Sequence, residues 1–160
     1  MHFYTLPELI SKNNHTVYKY SQSSLKKLLQ IDPQLVDLLF EAANHIDVKI
    51  VSGYRTAEEQ NHLFKRGLST KDGYLHKSTH QSHRAVDILP LPHDINMYQT
   101  SEENTRRWHY FTGFIQGLAA SRGLPIRCGL KWRTKPMAVL ERPLHDNTFI
   151  DANHFELIKG

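Results

Sequence analysis

The sequence predicts an α+β domain in which a small antiparallel sheet packs against N-terminal helices and one long helix. Three observations predict it: helical patterns cluster early, most strand-like runs come late, and the two never alternate in the βαβ order of a parallel sheet. With 160 residues, 39% of them hydrophobic, the chain is long enough for one globular core and short for two. Residues 1–160 are therefore expected to form a single domain.

The elements follow in chain order. "SQSSLKKLLQI" offers serine caps and then Leu25, Leu28 and Leu29 on one face of a short helix. In "IDPQLVDLLFEAANHI", Asp32 serves as N-cap, Pro33 takes the first helical position, and Leu35, Val36, Leu39 and Phe40 form the apolar stripe. "VKIVSGY" reads as a buried strand. Thr56 and Glu59 then make a capping box that opens "AEEQNHLFKR", a helix closed by Gly67, so Arg55 sits at a strand-to-helix junction. Residues 68–84 read as a loop, and "AVDILP" as a strand stopped by two prolines. From Ser101 to Arg122 runs the longest helix, with Trp108, Phe111, Phe114, Ile115 and Leu118 on one stripe and Gly123 as its stop. Three further strand candidates are "LPIRC", "MAVLE" and "HFELI".

Composition narrows the functional classes. No stretch approaches the roughly 18 apolar residues of a membrane span, and the N-terminus lacks the basic and apolar regions of an export signal. No membrane partner is expected, and the chain should stay in the cytoplasm where it is made. A formal charge of +4 and a pI near 9.2 suit an anionic partner. A nucleic-acid-binding domain would cluster Lys and Arg with interleaved aromatics, and here the charges are scattered. The single cysteine, Cys128, closes an apolar strand and reads as buried packing rather than a nucleophile.

Eleven histidines carry the remaining signal. His2, His15, His45, His62, His93 and His109 fall where solvated or capping roles suffice. The cluster His76, His80 and His83 with Asp87 differs, because a second cluster, "DANHFEL", lies at 151–157. Two imidazoles and a carboxylate are the ligand set of a hydrolytic zinc site, whose fourth position is left to water. Asp87 lies within a strand, and His80, seven residues earlier, lies in a loop that can fold back to the same ion. In a regular strand Asp151 and His154 would point to opposite faces, so Asp151 is expected in the turn before the strand. The same alternation puts Glu156 on the His154 side and turns Phe155 and Leu157 toward the core. Spacing alone fits either a solvated rim or a metal site. No HExxH, CxxC pair, GxSxG or Walker loop decides between them.

The order of four segments decides more. "SGYRTAEEQNHLF", "STHQSHRAVDI", "GLPIRCGLKW" and "DNTFIDANHFEL" together resemble the zinc peptidases of the D-alanyl-D-alanine carboxypeptidase and L-alanyl-D-glutamate peptidase family, especially phage endolysins. The resemblance extends upstream to "YSQSSLKKLLQIDPQLVDLL" and covers nearly the whole chain. It implies Zn²⁺ held by His80, Asp87 and His154, on the small sheet. It further implies Asp151 as general base and acid, Arg55 as binder of a substrate carboxylate or the oxyanion, and Ser78 as a substrate contact. Hydrolysis would proceed without a covalent intermediate, with Asp151 moving the proton from water to the leaving amine.

The implied substrate is the peptidoglycan stem peptide, cut between L-alanine and D-glutamate. Removal of terminal D-alanine by a carboxypeptidase or dipeptidase is the runner-up, and a non-catalytic zinc-binding module on the same scaffold a third reading. The chain is expected to be a monomeric catalytic domain without a separate wall-binding module, reaching the wall once the membrane is permeabilised. Two departures from the family pattern stand out. His83 replaces a glycine, so a turn needing positive φ would be strained there, and His83 and His76 become spare imidazoles near the metal. Asn153 replaces the usual proline or aromatic. The segment "RTKPMAVLERPLH" lacks alternating acidic residues, so no calcium site is expected.

Overall fold

The sheet forms from four antiparallel strands, β1 (Val48–Ser52), β2 (Ala85–Pro90), β3 (Ile126–Gly129) and β4 (Asp151–Leu157), in spatial order β1-β2-β4-β3. The structure is a computed structural model that describes residues 1–91, 102–129 and 151–158. The strand expected at "MAVLE" lies outside the described residues. β2 has the bounds its prolines predict, because a proline cannot extend the ladder.

Five α-helices surround the sheet among the described residues: α1 (Leu6–Asn14), α2 (Gln22–Leu28), α3 (Pro33–Ala42), α4 (Ala57–Lys65) and α5 (Glu102–Ser121). None is long and apolar enough to cross a membrane. The caps behave as the sequence predicts. Asp32 accepts from the Gln34 N–H at 3.0 Å, and the Thr56 hydroxyl accepts from the Glu59 N–H at 3.2 Å. Gly67 and Gly123 follow α4 and α5 with left-handed φ of 70° and 67°.

Helix α1 is an addition to the expected elements. Its signals are Pro7 in the first turn and Glu8, whose carboxylate accepts the Thr5 N–H at 2.7 Å, a capping box in a stretch with few apolar residues. Leu9 is fully buried, and Lys12 and Tyr4 both donate to Asp37 of α3, at 2.9 and 2.6 Å.

One face of the sheet carries the core. Leu28, Leu35, Leu39, Ile50, Ile88, Ile115 and Phe155 are fully buried, each contributing roughly 1.5–3 kcal/mol relative to exposure. Phe111 of α5 meets Phe155 of β4 edge-on at 6.0 Å, so the expected α5 stripe does face the sheet. Strand β1 is an edge, and α2 covers its open backbone. The Ser24 hydroxyl accepts the Ile50 N–H at 3.2 Å, and Lys27 donates to the Ile50 carbonyl at 3.1 Å, which blocks pairing with another chain.

Strand β4 is irregular. Its pairing with β3 goes from Cys128 opposite Phe155 directly to Gly129 opposite Asp151, skipping Ala152, Asn153 and His154. Asp151 is therefore the first residue of the strand, and not in a turn before it. The shift removes the strict alternation on which that expectation rested.

Candidate metal centre

The face of the sheet away from the core holds the polar cluster. Asp87 of β2 lies directly opposite His154 of β4, so their side chains start from neighbouring positions on one face. His80 reaches the same point from a short 3-10 turn (Thr79–Ser82) that precedes β2. The turn is built by its own sequence: the Ser78 hydroxyl accepts the His80 N–H at 3.4 Å, and Gln81 accepts the Ser78 N–H at 2.9 Å. Ligand atoms of His80, Asp87 and His154 lie within 4.8 Å of one another, and all three residues are buried.

A backbone partner fixes the His80 tautomer. His80 Nδ1 lies 2.6 Å from the Gly53 carbonyl oxygen, which can only accept, so Nδ1 carries the hydrogen and Nε2 of the neutral ring presents a lone pair. His154 has a carboxylate oxygen beside each ring nitrogen, Glu156 Oε2 at 3.2 Å from Nε2 and Asp87 Oδ1 at 3.0 Å from Nδ1, so an ion held at Nδ1 would leave the ring hydrogen on Nε2, toward Glu156. His80 Nε2 and His154 Nδ1 are 3.2 Å apart, and they lie 3.2 and 3.0 Å from the same Asp87 oxygen, Oδ1. Two imidazole nitrogens and a carboxylate oxygen so close together form a donor set suited to a cation among them. A metal ion meets that need. Ligands around tetrahedral zinc with bonds of about 2.0–2.1 Å stand about 3.3 Å apart, close to the spacing found. The donor set therefore fits a metal with one coordination position left open.

Asp87 is ionised. Burial opposes its charge, but the His154 and His80 rings beside it outweigh burial and hold the carboxyl well below the usual carboxylate range. Its second oxygen, Oδ2, accepts from Arg55 at 2.5 Å. Arg55 also donates to Ser52 at 3.0 Å and to the fully buried Gln60 at 3.4 Å, so three of its five N–H groups are used here. The strand-to-helix junction does aim Arg55 at the cluster, where its first partner is the Asp87 carboxylate.

Glu156 sits beside His154 as the alternation predicts, although the sequence suggested no role for it. Burial raises its pKa, but hydrogen bonds from His154, Thr79 and Arg127 bring it down to about 2. Asp151 is described in its backbone only, as the start of β4. Ser78 is half-buried, its hydroxyl oxygen occupied as the turn's cap.

The spare histidines have other positions. His83 ends the 3-10 turn with φ 62°, the left-handed conformation that its family glycine would favour. Surrounding contacts hold it there. Its ring stacks on Tyr54 at 4.3 Å and meets the Gln30 carbonyl at 2.8 Å, while its own carbonyl accepts the Asp32 N–H at 2.7 Å. His76 faces Asp72 at 3.2 Å on the exposed loop. Neither belongs to the three-residue cluster, and each ring has its own partner outside it.

The Asp72 carboxylate accepts the N–H groups of Tyr74 at 2.8 Å and His76 at 2.9 Å. Backbone hydrogen bonds from His76 and then Tyr74 lower its pKa to about 2. A depressed carboxyl stabilises the folded loop above the ordinary value of 3.8, and that contribution is lost as pH falls toward 2. An NMR titration of Asp72 should give a midpoint near 2; a midpoint near 3.8 would show that the turn does not hold the carboxylate.

Gly53 explains why the "SGYR" corner needs glycine. A Cβ there would stand 2.9 Å from the Lys27 carbonyl oxygen and 3.0 Å from Ile31. Its own carbonyl meanwhile accepts the His80 hydrogen. Gly53→Ala should therefore push the corner off α2, lowering stability by about 1–3 kcal/mol and weakening metal binding together. Denaturant unfolding and a zinc titration of the variant check this, and an unchanged pair of values would contradict it.

The family model described as phage L-alanyl-D-glutamate peptidase matches residues 16–158. The chain belongs to this family. The peptidase is also similar to the crystal structure of Serratia marcescens L-Ala D-Glu endopeptidase ChiX, with a TM-score of 0.62 at 18% identity over 89% of this chain and 92% of that one. At that identity the likeness establishes a shared fold. A vancomycin resistance D,D-pentapeptidase VanY mutant from a VanB-type cassette, solved with Zn(II), aligns with a TM-score of 0.46 at 17% identity, over 81% of this chain and 73% of that one. No curated protein matches the peptidase.

Proposed function

We propose that this peptidase is a zinc-dependent peptidoglycan hydrolase that cleaves the L-alanyl-D-glutamate bond of stem peptides. The observation that supports it best is the convergence of three buried metal-ligating groups, from His80, Asp87 and His154, in a chain of this family. The same donor set serves iron in oxygenases, and family membership favours hydrolysis. Bound there, zinc would supply Lewis acidity, making water nucleophilic near neutral pH and polarising the scissile carbonyl.

The chain's own residues have distinct tasks in this reading. His80, Asp87 and His154 hold the ion. Asp151, three residues before His154 and opening the same strand, takes the proton of the attacking water and returns it to the leaving amine. Arg55 holds the second Asp87 oxygen in a hydrogen-bonded ion pair, and its remaining N–H groups would serve a substrate carboxylate or the developing oxyanion. The Ser78 hydroxyl accepts from the backbone, so its hydrogen is available to donate to substrate. The chain would act as a monomeric catalytic unit, made in the cytoplasm and reaching the wall after the membrane is permeabilised.

A synthetic stem peptide containing both L-Ala–D-Glu and terminal D-Ala–D-Ala tests the bond. A product beginning with a free D-glutamyl amine is expected. Release of D-alanine alone would make the chain a carboxypeptidase instead, and an untouched peptide would favour the non-catalytic module.

A further inference from the structure

We infer that Glu156 is a positioning residue that sets both histidine ligands of the metal centre through one carboxylate oxygen, an inference that rests on the metal-centre reading above. The oxygen is Oε2. It accepts the His154 Nε2 hydrogen at 3.2 Å and the Thr79 hydroxyl at 2.6 Å. Thr79 opens the 3-10 turn and immediately precedes His80. A single acceptor thus joins the strand that carries one ligand to the turn that carries the other, across 77 residues of sequence.

The other oxygen, Oε1, is what keeps the carboxylate from turning. Arg127 of β3 donates to it through Nε at 2.8 Å and through Nη2 as well. With one oxygen clamped to the neighbouring strand, the remaining one has a fixed direction, and the carboxylate is only 3% exposed. Its effect on His154 is twofold. It holds the hydrogen on Nε2, so that Nδ1 is the coordinating atom, and it raises the basicity of that atom. Its effect on His80 runs through Thr79, which draws the turn toward β4 while the Gly53 carbonyl sets the ring's rotation.

An ion pair with Arg127 that serves stability alone would predict something different. It would tie β3 to β4, and its loss would lower unfolding stability while leaving metal affinity intact. The hydrogen bonds to Thr79 and His154 predict that metal affinity falls, because partners of this kind typically change it by about 10–100-fold.

The test compares full-length wild type, Glu156→Gln, Thr79→Val and Thr79→Ser, each checked for folding by circular dichroism. The Zn²⁺ dissociation constant is read by competition with a chromophoric chelator. Glu156→Gln and Thr79→Val should bind zinc about 10–100-fold more weakly, and Thr79→Ser, which restores the hydroxyl, should recover wild-type affinity. Nitrogen-15 NMR of the zinc-loaded wild type should show His154 coordinating through Nδ1 with Nε2 protonated. Folded variants that bind zinc as tightly as wild type would overturn the inference while leaving the metal centre standing. Should Glu156→Gln fail to fold, the Thr79 pair decides the matter. Wild type that takes up no zinc would overturn the metal-centre reading and this inference with it.

Discussion

Asp87→Ala should abolish hydrolysis of peptidoglycan, lowering the rate by more than about 10³-fold, a loss of more than about 4 kcal/mol of transition-state stabilisation. Asp87 Oδ1 is the atom on which an imidazole nitrogen of each histidine converges, at 3.2 and 3.0 Å, so its removal leaves two imidazole donors where three ligands stood. Zinc content of the purified variant should fall with activity. The same substitution strips Arg55 of its counter-charge. A fully buried charge left unpaired costs about 3–5 kcal/mol. The Arg55 side chain keeps 20% of its exposure, so water screens part of that cost and about 1–3 kcal/mol is expected. Activity assays, metal analysis and denaturant unfolding separate the two effects. Substantial activity in a zinc-free Asp87→Ala chain would contradict the assignment.

Asp151→Asn should separate metal binding from catalysis. Asparagine has nearly the same shape as aspartate but cannot carry a proton between water and the leaving amine. The expected result is unchanged zinc stoichiometry, little change in KM, and a kcat lower by about 10²–10⁴-fold, the range for loss of a general base. A kcat within a few-fold of wild type would remove Asp151 from the mechanism. Loss of zinc in this variant would instead make Asp151 a fourth ligand.

Much of the fold was legible because its signals are local. Asp32 and Pro33 start α3, Thr56 and Glu59 start α4, and Pro90 ends β2, each acting within a few residues of itself. Helix α1 shows the limit of reading by hydrophobic stripe, since only its capping box and Pro7 announce it and Leu9 is its one buried residue. The grouping of His80, Asp87 and His154 was legible through motif order, because their convergence depends on a β2–β4 pairing that spacing alone cannot specify.

Other features depend on contacts distant in sequence. Asp151 falls within β4 because the β3 ladder skips three residues, a register shift with no local marker. Gly53 is needed because α2 passes 2.9 Å from where its Cβ would stand, and the role of Glu156 requires Thr79 and Arg127 beside it. His83 adopts the strained φ that its position in the motif implied, yet its stacking on Tyr54, which turns the ring away from a ligand role, could be found only in the folded chain.

The most direct measurement follows zinc and bond cleavage in one sample. Purified peptidoglycan is digested by the wild-type chain as isolated, after removal of metal by a chelator, and after stoichiometric zinc is restored, with products identified by mass spectrometry. The result predicted here is one zinc per chain and new fragments beginning at D-glutamate, lost on chelation and regained with zinc. Undiminished cleavage by metal-free protein would contradict the central claim that His80, Asp87 and His154 hold the catalytic ion.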